Sequence, residues 1–126
     1  PVDWPAQSEI DAYVAAATPA MQVIETLLQG WQNGDEKLMS SVYSSAHPTA
    51  LSYRIGLRGD KSAPSSKAFR PIPFHNLSAR MVEAALEAHA RGELLIYLAE
   101  LEENVVTAAS RVFLIQDNSS WKIRHW

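Results

Sequence analysis

The side chains that could do chemistry in this chain are few and scattered. Four histidines stand at positions 47, 75, 89 and 125, and none falls at the short spacing by which a helix or loop gathers metal ligands. His89 sits near the end of a helical pattern, where a positive side chain suits the helix dipole. His125 alternates with Trp121 and Ile123. If that face turns inward, His125 becomes a base or hydrogen-bond donor; the plainer reading is a residue at the rim. Glu100 has the parity of Leu94, Ile96 and Leu98. A carboxylate in a dry pocket rises toward neutral pKa and can act as a base, but Glu100 also simply opens an acidic turn with Glu102 and Glu103. Arg111 interrupts the run of Val105, Thr107, Ala109, Phe113 and Ile115. It could hold an anionic group, though a solvated or dimer-facing sheet surface explains it as well. No Gly-x-Ser-x-Gly elbow, phosphate loop or dinucleotide fingerprint occurs, and Gly56-Leu57-Arg58-Gly59 is too short to be one. No metal and no cofactor is expected.

Composition narrows the classes. A chain of 126 residues suffices for one domain, taken here as 1–126, which buries roughly two-thirds of its unfolded surface. At 47% hydrophobic and 20% charged it reads as globular rather than disordered. The net charge of -3, with scattered basic residues, argues against a nucleic-acid partner, which needs a clustered basic face. The lack of cysteine excludes a disulfide scaffold and a thiolate metal site. No apolar run approaches the roughly 20 residues of a membrane span. The start at Pro1 fits a cytoplasmic protein that has lost its initiator Met, and equally a secreted or periplasmic one trimmed from a longer leader.

The pattern along the chain predicts the elements. Residues 5–17 read as a first helix, with Ser8 as cap and Ile10, Tyr13, Val14 and Ala17 as its stripe. Pro19 opens a second, carrying Met21, Ile24, Leu27, Leu28 and Trp31 at helical spacing. Asn33-Gly34-Asp35 ends it and starts a third piece with Leu38, Met39, Val42 and Tyr43, which fades at His47-Pro48. Leu51, Tyr53, Ile55 and Leu57 alternate with polar residues or glycine and predict a half-buried strand over 50–57. Tyr53 and Arg54 then point to opposite faces, and Tyr53, in the apolar set, lines the pocket or simply fills the core. Residues 59–73, rich in Ser, Pro and Lys, read as a long loop. A helix with the stripe Leu77, Met81, Ala84, Ala85 and Ala88 follows, closed by Gly92. Three strands then occupy 93–101, 105–116 and 121–126. In the last, Trp121, Ile123 and His125 face one way and Lys122, Arg124 and Trp126 the other.

Two local motifs carry a family likeness. Leu27-Leu28-Gln29-Gly30-Trp31-Gln32-Asn33-Gly34-Asp35 is similar to a helix–"xGD"–helix start, and Asn118-Ser119-Ser120-Trp121-Lys122-Ile123 to a closing "G-x-W-K-I" strand. With the order of elements, they make the chain resemble the nuclear transport factor 2-like superfamily, which includes SnoaL-like cyclases and ketosteroid isomerase. Ser120 stands where that family has glycine, and one strand of its first hairpin is not evident. The resemblance implies an α+β fold: N-terminal helices packed on a curved antiparallel sheet that forms a cone, as in a cystatin-like roll. It also implies that an enzyme of this kind would hold its acid or base (Asp, His or Tyr) inside the cone.

A twisted sheet half covered by helices leaves a concave apolar site. The expected lining is Leu27, Trp31, Tyr53, Met81, Leu98 and Trp121, with His125 at the mouth and the 59–73 loop as gate. A pocket so lined suits a small apolar or amphipathic ligand. Three readings follow: a non-catalytic binding domain, an acid–base isomerase, cyclase or hydratase, or an assembly module. The first is preferred because no inward acid–base pair can be named. A homodimer through the sheet is expected, on a face carrying Arg111, Phe113, Ile115, Lys122, Arg124 and Trp126.

Overall fold

A computed structural model describes residues 5–60 and 62–126. Residues 1–4 and 61, which fall within the expected domain and the expected loop, lie outside the described residues. Helices α1 (Gln7–Asn33), α2 (Glu36–Ser40) and α3 (Pro48–Arg58) precede strand β1 (Lys67–Pro71) and a short 3-10 turn at Phe74–Asn76. Helix α4 (Ala79–Ala90) and strands β2 (Leu94–Glu102), β3 (Val105–Asp117) and β4 (Ser120–His125) complete the chain. The N-terminal helices pack on a curled, four-stranded antiparallel sheet of order β1-β2-β3-β4, which forms a half-barrel. Among the described residues no helix is long and apolar enough to cross a membrane.

The first two expected helices are one. α1 runs unbroken through Pro19. A proline inside a helix frees the carbonyl four residues back; here that carbonyl belongs to Ala15, and both residues are solvent-exposed. Water can satisfy what the proline cannot. Burial on either side, at Tyr13, Ala17, Ala20, Ile24, Leu27 and Trp31, holds the helix together. Its C-terminus closes on Gly34 at φ 67°. Asp35 then caps α2 by accepting from the Leu38 amide at 3.0 Å. Gly30 lets the two helices touch: a Cβ there would lie 2.6 Å from Met39 Cγ.

The strand expected over 50–57 is helix α3. His47-Pro48, read as a stop, is a start, with proline in the first turn. The inward set is Ala50, Leu51, Arg54, Ile55 and Arg58, a helical spacing, whereas Tyr53 and Leu57 face solvent. The alternation of large apolar residues mixed a buried side with an exposed one. Arg58, in the last turn, closes the end of α1: its Nε donates to the Trp31 carbonyl and its Nη2 to the Gln32 carbonyl at 2.9 Å.

Inside the expected loop lies β1, a strand that the sequence pattern does not predict, paired from Lys67↔Glu102 to Pro71↔Leu98. It is a short edge strand, where proline is tolerated. β1 leaves the N-terminal half of β2 uncovered, and α4 fills that place rather than lying wholly on the concave side. Its Ala85 and Leu86 join the core with Leu94, Ile96 and Leu98, while Ala88 packs with Leu95 and Tyr97. The uncovered β2 carbonyls still find partners. Tyr13 donates its hydroxyl to Leu95 O at 2.7 Å, and the Ile72 amide donates to Tyr97 O at 2.9 Å.

The three C-terminal strands form as predicted, but the last does not keep its alternation. The register skips between Phe113↔His125 and Leu114↔Ile123, so Arg124 sits in a bulge. A bulge adds one residue and inverts the faces beyond it. Ile123 and Trp126 both turn inward and are 0% and 1% exposed, while His125 faces solvent. Trp121 is only partly buried. The expected interface face therefore loses Trp126 to the core and Phe113 to the cluster under α4.

Candidate functional site

The interior of the half-barrel is filled by the protein's own rings. Trp31, Phe69 and Trp126 meet edge to face, with centroids 4.9 to 5.5 Å apart. Their polar atoms are anchored. Trp31 Nε1 donates to Lys67 O at 3.2 Å, and Trp126 Nε1 to Ser110 Oγ at 2.7 Å. Arg54 closes the mouth with its guanidinium 4.0 Å from the Trp126 ring centroid. Burial lowers the Arg54 pKa, an effect opposed by Tyr43, Tyr53 and Glu100. A guanidinium nevertheless stays charged at physiological pH. Glu100 has the inward parity expected of it, opposite Phe69, and forms an ion pair with Lys67 at 3.1 Å.

The residues expected to line the pocket therefore separate. Trp31 and Leu98 lie together in the core beside Leu27. Met81, itself on α4, packs with Ala88, Leu95 and Tyr97. Trp121 lies against the core's margin, opposite Gln116. Tyr53 and His125 meet elsewhere, in a cleft of about 390 Å³ between the first turns of α3 and the end of β4. Arg111 is exposed, its guanidinium 5.9 Å from the Phe113 ring.

His47, Thr49, Ala50 and Arg124 complete that cleft. A second cleft of about 290 Å³ adjoins it, lined by Tyr43, Ser44, Pro48 and Leu51 among others, and His47 borders both. These residues include every buried side-chain nitrogen or oxygen that lacks a hydrogen-bond partner among the described residues: Tyr43 Oη, His47 Nδ1 and Arg124 Nε. Such atoms are costly and rare in folded proteins. Burial raises the Tyr43 pKa well above the usual phenol value, against the opposing pull of Arg54, so its hydroxyl stays a donor. Arg124 is held in place. Its Nη2 pairs with Glu93 Oε1 at 3.1 Å and its guanidinium carbon lies 5.0 Å from the Phe113 ring centroid. No carboxylate lines the larger cleft, while one arginine and two histidines do.

Two other hollows are less equipped. A smaller apolar one, about 210 Å³, lies between α1 and residues 71–77, and its Tyr13 hydroxyl is already engaged. A groove between α1 and α4 is lined by the exposed Glu9, Glu83 and Glu87 with Leu86 and Ala90. Among the described residues no group of three His, Asp or Glu comes together as a metal site requires.

Sequence reading missed His47, Tyr43 and Arg124. His47-Pro48-Thr49 was the available signal, since proline in a first helical turn orients the residue before it. The Arg124 bulge leaves no local mark. No protein-family model, curated protein or solved structure matches the chain, so the site is read from its own chemistry.

Proposed function

We propose that this domain binds a small amphipathic ligand through an acceptor group, such as a carboxylate, in the cleft between α3 and β4. The observation that carries the reading is the gathering of unpartnered buried polar atoms around that cleft and its neighbour. Arg124 Nε–H is a donor with no acceptor among the described residues, and no carboxylate lines the cleft to compete with a ligand for it. Tyr53, 62% exposed, and Ala50 offer an apolar wall for the rest of the ligand.

The test is a titration with benzoate against uncharged benzamide, followed by the ring resonances of His47 and His125. Benzoate is expected to shift both saturably, and benzamide to bind more weakly. Arg124→Lys keeps a cation beside Glu93 but removes the Nε donor. It should weaken benzoate about tenfold or more, the equivalent of 1.4 kcal/mol. Unshifted histidines at saturating benzoate would sink the reading.

A second reading rests on one further fact. His47 and His125 line the same cleft, the arrangement that acid–base chemistry uses. Turnover of a small carbonyl or epoxide substrate that is lost in His47→Ala and in His125→Ala would establish it.

A further inference from the structure

β4 covers β3 only from Phe113 to Asp117, so residues 105–111 of β3 have a neighbour on one side, β2. The direction of the free groups follows from the ladder. On β2, the Leu95 and Tyr97 carbonyls point to the β1 side, where Tyr13 Oη and the Ile72 amide meet them. Alternate residues of an antiparallel strand turn to opposite neighbours. Leu98 and Glu100 therefore face β3, and their partners Ser110 and Ala108 face back toward β2. Ala109 and Arg111 are left presenting N–H and C=O outward.

Free edges in soluble proteins are normally guarded by charge, proline, a bulge or a covering segment. β4 has such cover: the Ser44 amide donates to Ile123 O at 2.7 Å and the Ile123 amide to Val42 O at 2.8 Å. The β3 edge has a bulge near Thr107, between the pairs Glu100↔Ala108 and Leu101↔Val106. From Asn104 to Ser110 it has no proline and no charge. Val105 and Val106 are 62% and 57% exposed.

The bracketing charges indicate what would cover this edge. Glu102 and Glu103 stand at one end and Arg111 at the other. Two identical strands paired antiparallel set the acidic end of each beside the basic end of the other, giving two attractive crossings around a neutral centre. Parallel pairing would set glutamates against glutamates. We infer that residues 105–111 of β3 pair antiparallel with the same edge of a second copy of this chain. A strand pair this short buries less than the roughly 1,200 Å² of a standard interface, so the dimer forms in the micromolar range.

Sedimentation equilibrium of the full chain tests this. At about 100 µM the mass should approach twice the 14.0 kDa of one chain. Ala109→Pro removes an outward N–H and leaves the β2 ladder intact; it should weaken the dimer at least tenfold. Arg111→Glu should weaken it similarly, and adding Glu103→Arg should restore it. Circular dichroism checks that each variant folds, and the charge pair decides the matter if the proline variant does not. A mass of one chain at about 100 µM overturns the inference, as does a dimer that neither the proline nor the charge reversal weakens.

Discussion

Arg54 holds Trp126 twice: its guanidinium carbon lies 4.0 Å from the centre of the indole ring, and its Nε donates to the same residue's carbonyl oxygen at 2.9 Å. One residue of a helix thus fixes both the ring and the backbone of the chain's last inward side chain. Lysine cannot reproduce that, because it lacks both the planar face and the Nε–H. Arg54→Lys should therefore lower stability by about 1–2 kcal/mol. Urea unfolding followed by tryptophan fluorescence would measure it, and a change under about 0.3 kcal/mol would show that the stack contributes little.

Two buried tyrosines should answer oppositely to loss of their hydroxyls. Tyr13 satisfies the edge carbonyl of Leu95. Tyr13→Phe leaves that carbonyl unpaired and should cost about 1–3 kcal/mol. Tyr43 Oη has no partner among the described residues, so Tyr43→Phe should be neutral or stabilising in the same unfolding assay. Equal losses from the two substitutions would refute the distinction.

The same residues govern alkaline stability. Burial, with a smaller contribution from Tyr97, raises the Tyr13 pKa from 10.0 to about 12. The unfolded chain therefore ionises this phenol first, and stability falls as pH rises from 10 toward 12. Across that window Tyr13 accounts for about 2–3 kcal/mol, and Tyr43, displaced in the same direction, adds to the loss. Melting temperature measured from pH 9 to 12 should drop, and less steeply in Tyr13→Phe. A flat profile, or one identical in the variant, would contradict the burial of Tyr13.

Pro19 is the weak point of α1. Replacing it with alanine supplies an amide for the exposed Ala15 carbonyl and removes the ring from the helix interior. Stabilisation on the order of 1–3 kcal/mol is expected, read as a higher urea midpoint with unchanged slope. A lower midpoint would mean that the helix depends on the distortion proline introduces.

Much of the sheet was legible from the sequence, because β2 and β3 are long runs of strand-forming residues, β2 apolar on both faces, and their turns carry the right residues. Trp31 was legible too, being part of a long helical stripe. What failed, failed for local reasons. Leu51, Tyr53, Ile55 and Leu57 imitate a strand because two of the four happen to face water. β1 hides among serines and prolines, since a short edge strand needs little apolar content beyond Phe69. The cleft was half legible: Tyr53 and His125 were both singled out, but on a strand and a face that do not exist. They meet because α3 is a helix and because the bulge turns His125 away from the core.

That bulge also decides what the half-barrel contains. Trp126 occupies the interior as a guest would, its ring bounded by two other aromatic rings, its N–H on Ser110 and its face under a cation. Core and receptor differ here by one covalent bond to the guest. Trp126→Gly would leave a compartment of indole shape with its donor, acceptor and aromatic walls already assembled. Free indole, added back, should restore part of the lost stability, and a lineage could convert this filled vessel into an open one without altering any strand.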